Sequence, residues 1–93
     1  NRALELRPGY AEAYNGRGLV NARRRAYQEA VKDFTQALTL RPQYADAYYN
    51  RSLARAQQNQ YRQALKDAQK AQRISPDNPV YSEWIGELRE ELD

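Results

Sequence analysis

Shifted by 34 residues, the chain matches itself without a gap. Of the 34 pairs formed by laying 11–44 over 45–78, twelve are identical, among them Tyr14/Tyr48, Arg17/Arg51, Leu19/Leu53, Ala30/Ala64, Asp33/Asp67 and Pro42/Pro76. A unit of this size cannot bury its apolar face alone and does so by stacking on its neighbours, so a sustained period of this length constrains the fold to a repeat array. The register runs outward: Leu4, Leu6 and Pro8 lie 34 residues before Leu38, Leu40 and Pro42, and Gly86 lies 68 after Gly18. The expected organisation is one domain, 1–93: the end of a preceding unit (1–10), two full units (11–44 and 45–78) and a capping helix (79–93). An array that opens in mid-unit points to a piece of a longer protein.

Each unit reads as two helices. Tyr14, Gly18 and Asn21 share one side of the first, and Tyr27, Ala30, Phe34, Ala37 and Leu38 one side of the second, at spacings of three and four. Arg24-Arg25-Ala26 and Gln58-Asn59-Gln60 break the pair. Pro42 and Pro76 stop the second helices, because proline disfavours helical geometry in the residue before it. Asn78-Pro79 opens a last helix, Asn as cap and Pro at the first helical position. That helix carries Val80, Trp84, Ile85, Leu88 and Leu92 on one stripe and Glu83, Glu87, Glu90 and Glu91 on its other side. No segment alternates with period two, so the fold class is all-α.

In this register the first unit offers Tyr14, Arg17, Gly18, Asn21, Ala30, Phe34, Ala37 and Pro42, and the second Tyr48, Arg51, Ser52, Arg55, Ala64, Ala68, Ala71 and Pro76. The pattern resembles the tetratricopeptide repeat, W-x2-L-G-x2-Y, then A-x3-F, A and P. It departs from it where Arg17 and Arg51 replace Leu, Ser52 replaces Gly and Ala68 replaces Phe. The resemblance implies a right-handed superhelical solenoid of antiparallel helix pairs. It also implies that first helices line a concave groove, in which segments of other proteins bind.

The small residues Gly18, Ser52, Ala30 and Ala64 are expected to let the helices of a pair approach, with Tyr14, Tyr48, Tyr27, Tyr61 and Phe34 filling the core beside them. The recurrence of Arg17 with Asp33 and of Arg51 with Asp67 predicts an interhelical ion pair, within a unit or between neighbouring units. A helix end favours Asn or Gly in the left-handed region; Asn59 suits that position and its counterpart Arg25 does not.

Once the packing positions are set aside, the first helices leave a face of Glu12, Asn15, Leu19, Ala22 and Arg23, repeated as Asp46, Tyr49, Leu53, Ala56 and Gln57 with Asn50 beside Tyr49. A shallow apolar strip edged by amides and charges suits an extended peptide, with Tyr49 as its main anchor. The competing reading of Leu19 and Leu53 is packing against neighbouring helices. One subclass of the family holds the terminal carboxylate of chaperone tails with a clamp of Lys, Asn and Arg. Asn50 matches its middle position, but Asn15, Leu19, Val80 and Trp84 stand where the clamp needs Lys, Asn, Lys and Arg.

The expected partner is therefore another protein or peptide. The alternative is a second copy of the chain, docked through an uncovered solenoid end bearing Leu4 and Leu6. Charge is unevenly spread: +4 over 1–44, +3 over 45–78 and −4 over 79–93. The Arg23-Arg24-Arg25 cluster reads either as a solvated turn or as attraction to an acidic or nucleic-acid partner. The chain has no Cys, His or Met, no Gly-rich phosphate loop and no grouped carboxylates in a catalytic pattern, so neither an enzyme nor a cofactor or metal site is expected. It has no long apolar run and no signal-peptide pattern, which makes the cytoplasm the default expectation.

Overall fold

A computed structural model describes residues 9–93, so Leu4, Leu6 and the half unit ending near residue 10 fall wholly or largely outside the described residues. The described residues form five helices and no strand: α1 (Gly9–Arg23), α2 (Tyr27–Leu40), α3 (Ala45–Gln57), α4 (Tyr61–Ile74) and α5 (Pro79–Leu92). Consecutive helices pack together, and α1 also touches α3, which is the pairing of a stacked array. No described helix is long and apolar enough to cross a membrane.

The stops and starts follow the local chemistry. Arg41 and Ser75, which precede Pro42 and Pro76, have left helical geometry (φ −141°, ψ 88° and φ −129°, ψ 74°). Asn78 caps α5, its Oδ1 accepting from the Val80 amide at 2.9 Å, with Pro79 at the first position.

The two turns inside the pairs are the same structure. In the first, the Ala26 amide bonds the Asn21 carbonyl (2.8 Å) and the Arg25 amide the Ala22 carbonyl (3.0 Å); in the second, Gln60 bonds Arg55 and Asn59 bonds Ala56. These bonds form a Schellman motif, which requires a left-handed residue at its corner. Asn59 supplies it at φ 63°, and so does Arg25 at φ 64°. A side chain without Asn's local hydrogen bonding is strained there. Arg25→Gly should therefore raise the unfolding free energy by about 0.5–1 kcal/mol, read as a higher urea midpoint; a lower midpoint would mean that the Arg25 side chain supports the turn.

The core is mostly alanine. Ala30, Phe34 and Ala54 form one cluster, Ala37, Leu38 and Ala47 a second, and Ala56, Ala64, Ala68, Ile85 and Leu88 a third. Of the aromatic residues expected in the core, Phe34 alone is fully buried; Tyr14, Tyr27, Tyr48 and Tyr61 are half-buried and flank the clusters. Their hydroxyls are best solvated, so the tyrosines lay their rings on the alanines and keep the polar tips outside.

Both expected ion pairs form, each within its unit. Arg17 Nη2 meets Asp33 Oδ1 at 2.8 Å and Arg51 Nη2 meets Asp67 Oδ1 at 2.7 Å, and both aspartates are buried. A second donor completes each site: Asn21 Nδ2 reaches Asp33 at 2.8 Å and Arg55 Nη1 reaches Asp67 at 3.0 Å. Each arginine also lies over the tyrosine one turn before it, Tyr14 or Tyr48. Arginine at the position the repeat pattern gives to Leu thus preserves packing through its stem and adds an electrostatic link between the paired helices.

Candidate functional site

Because the A helices α1, α3 and α5 hold equivalent residues at multiples of 34, they bring corresponding positions to one face. Leu19 is 37% exposed and Leu53 and Tyr49 are half-buried, so none of the three is sealed. Glu12, Arg23, Asp46 and Gln57 are exposed around them.

Two expected groove residues, Asn15 and Asn50, bond to each other across the seam. Asn15 is 8% exposed, and its Oδ1 accepts from Asn50 Nδ2 at 3.0 Å. An amide pair across α1 and α3 satisfies polar groups that the stacking has removed from water. Asn15 is thereby withdrawn from the open surface, and Asn50 is turned toward its neighbour. Ala56 is buried as well, in the core cluster formed with α5.

The last helix closes the middle of this face. Tyr81 stacks against Tyr49 with ring centroids 5.2 Å apart and planes at 44°, and its hydroxyl donates to Asp46 Oδ1 at 3.3 Å. Trp84 Nε1 donates to Ser52 Oγ at 2.7 Å, and that hydroxyl donates in turn to the Ala64 carbonyl at 2.6 Å. The sequence signal for this seam was faint, since Trp84 falls 34 residues after Asn50 and shares only its place in the repeat. In both seams, a polar group at that place bonds back to the preceding A helix.

Burial pushes the Tyr49 phenol above the usual tyrosine value, and the Glu87 carboxylate pushes it further. Burial does the same for Tyr81, reinforced by Asp46. A phenol that is harder to ionise when folded lets the unfolded chain release its proton first as pH rises. The stabilisation is complete below the ordinary value of 10.0 and is lost as pH climbs through the raised values. Urea midpoints should fall as pH rises above the ordinary tyrosine value of 10.0, and Tyr49→Phe should make that fall shallower; an unchanged slope would place the lost protons elsewhere.

Glu87 belongs to a row of exposed carboxylates, Glu83, Glu87 and Glu91, at the α5 positions equivalent to Tyr49, Leu53 and Gln57. Among the described residues, none of the three has a Lys or Arg nitrogen within 4.0 Å. Glu87 and Glu91 also line a shallow hollow of about 240 Å³ between α3 and α5, with Ala56, Gln57, Trp84 and Leu88. The face therefore changes character along the array, from apolar at Leu19 and Leu53 to acidic at α5. No cluster of residues suited to hold a metal ion occurs among the described residues.

Comparison with known proteins agrees with this architecture. Residues 11–44 and residues 45–78 each match a family model described as the tetratricopeptide repeat. No curated protein sequence matches the chain. Among solved structures, the Arabidopsis OM64 TPR domain is 26% identical with a TM-score of 0.85, covering 95% of this chain and 73% of that one. MamA is 29% identical with a TM-score of 0.87, covering 92% of this chain and 50% of that one. The myosin chaperone UNC-45 from C. elegans, solved in complex with a Hsp90 peptide, is 30% identical with a TM-score of 0.81, covering 87% of this chain and 9% of that one. Period, paired-helix packing and matched family models together lead to one conclusion: the chain belongs to the tetratricopeptide repeat family.

Proposed function

We propose that the chain is a protein-interaction module that holds an extended segment of another protein along the face shared by α1, α3 and α5. The observation that carries this reading is that Leu19 is exposed and Leu53 only half-buried. They occupy the same place in successive units and keep part of their surface open to solvent, in an array whose core alanines Ala30, Ala37, Ala47, Ala64, Ala68 and Ala71 are completely buried. Apolar side chains left open in register form a strip that an extended chain can cover with alternate side chains. The Hsp90 peptide bound to UNC-45 gives a precedent for a peptide partner on a related scaffold. An acidic chaperone tail suits this face poorly. Asn50 is engaged with Asn15, and Val80 and Trp84 occupy positions where the clamp needs cations.

Screening a random peptide array with wild-type protein and with Leu19→Asp/Leu53→Asp tests the reading. The variant should keep its helical circular dichroism and lose the wild-type hits, with affinity reduced by about tenfold or more. Undiminished binding by the variant would remove the strip from the function.

A second reading rests on Val80 and Leu92, 46% and 40% exposed on the last helix. Exposed apolar residues on one helix favour association of copies. Sedimentation velocity at rising concentration distinguishes the two, since a groove binder alone stays monomeric.

A further inference from the structure

We propose that the occupant of this face is a basic extended segment, which seats a Lys or Arg side chain in the hollow beside Glu87 and Glu91 while its apolar residues cover Leu53 and Leu19. The inference rests on the groove reading above and adds the chemistry of the partner.

Two features of the structure point the same way. The first is the hollow itself. Its walls combine apolar surface from Ala56, Trp84 and Leu88 with the carboxylates of Glu87 and Glu91 and the polar groups of Gln57, Asn59 and Tyr61. A long basic side chain has the matching make-up: an aliphatic stem that packs on apolar surface and a charged head that needs acceptors. Trp84 adds an aromatic wall of the kind cations favour, and its Nε1 is already bonded to Ser52. The second feature is the distribution of charge. The whole chain is net positive, +3, whereas the exposed charges around this end of the face are Asp46, Glu83, Glu87 and Glu91. These carboxylates lack cationic partners within 4.0 Å among the described residues. Uncompensated local charge of one sign attracts the opposite sign in a partner and repels an acidic one.

The repeat spacing sets the pattern the partner needs. Neighbouring helices pack about 8–10 Å apart, and an extended chain advances about 3.3–3.6 Å per residue. Passing from one A helix to the next therefore takes about two to three residues. The fitting segment carries apolar side chains and, about two to three residues away, one or two Lys or Arg residues.

Fluorescence anisotropy with labelled twelve-residue peptides tests this. The peptides share one apolar pair and differ only in the flanking residues: Lys-Arg, Ser-Gln or Glu-Glu, with each order along the chain. The basic peptide should bind about tenfold or more tighter than the neutral one, the acidic one weakest, and the advantage should shrink in about 0.5 M salt. Glu87→Lys/Glu91→Lys should reverse the order of the acidic and basic peptides. Glu29→Lys/Asp77→Lys makes the same change of net charge away from the face and should leave the order intact. Equal binding of basic and neutral peptides would overturn the charge inference and leave the groove standing. No binding of any peptide would overturn both. Loss of preference in the Glu29/Asp77 variant would reduce the effect to overall charge and overturn the hollow as a site.

Discussion

Phe34→Ala should lower the unfolding free energy by about 3–5 kcal/mol, the cost of removing a fully buried aromatic ring. Phe34 is 0% exposed and packs with Ala30 of its own helix and Ala54 of α3. The second unit solves the same problem with the sizes exchanged: Ala68 stands where Phe34 would be, and Leu88 of α5 stands where Ala54 would be. Adding Ala54→Leu to Phe34→Ala should therefore recover more than about 1 kcal/mol, although Ala54→Leu alone overpacks the site. Urea unfolding of the two single variants and the double variant checks this, and simple additivity would show that the two solutions do not transfer between units.

Gly18 belongs to the same exchange. A Cβ there would stand 2.5 Å from Phe34 Cε1, and the buried ring has no room to swing away. Gly18→Ala should cost about 1–3 kcal/mol in the wild type and little in the Phe34→Ala background. Ser52, the equivalent residue, is tolerated because Ala68 leaves that space open, and its hydroxyl is satisfied on both sides. The two departures from the repeat pattern, Ser for Gly and Ala for Phe, thus form one compensated change.

Asp67→Ala should be the second large loss, about 2–3 kcal/mol. Asp67 accepts from Arg51 Nε at 2.9 Å and Nη2 at 2.7 Å and from Arg55 Nη1 at 3.0 Å, with its side chain 5% exposed. Removing it leaves Arg51, whose side chain is 15% exposed, with Thr35 Oγ1 as its remaining side-chain acceptor. A desolvated guanidinium without its counter-charge is costly. Asp33→Ala should cost less, because the Arg17 side chain is 65% exposed and water replaces the lost carboxylate. Parallel urea titrations of the two variants decide the matter; equal losses would mean that solvent access to the arginine does not set the strength of the pair.

Several of these features were legible in the sequence, and the reasons differ. The Arg–Asp pairs were visible because both members recur 34 residues apart. The second donors, Asn21 and Arg55, were not, because they differ in residue type while performing one task. The left-handed corner was visible at Asn59 but disguised at Arg25, where the hydrogen bonds of the turn override local preference. In the candidate site, the period put Leu19 and Leu53 at one place in successive units, whereas the burial of Asn15 was not legible because it depends on Asn50 across the seam. The tyrosines were misplaced for a similar reason, since helical periodicity reports which way a residue faces and not how deeply it is covered.

The sequence by itself determined the repeat, the helical pairs, their stops at Pro42 and Pro76 and the family, because each follows from short-range geometry or from a period counted along the chain. Tertiary structure alone decided which members of the inner face stay open, how Tyr81 and Trp84 close over α3, and that Glu87 and Glu91 share a hollow with Trp84. Those outcomes depend on the sizes and hydrogen bonds of side chains from different helices meeting at one seam, and no periodicity within a single helix encodes them.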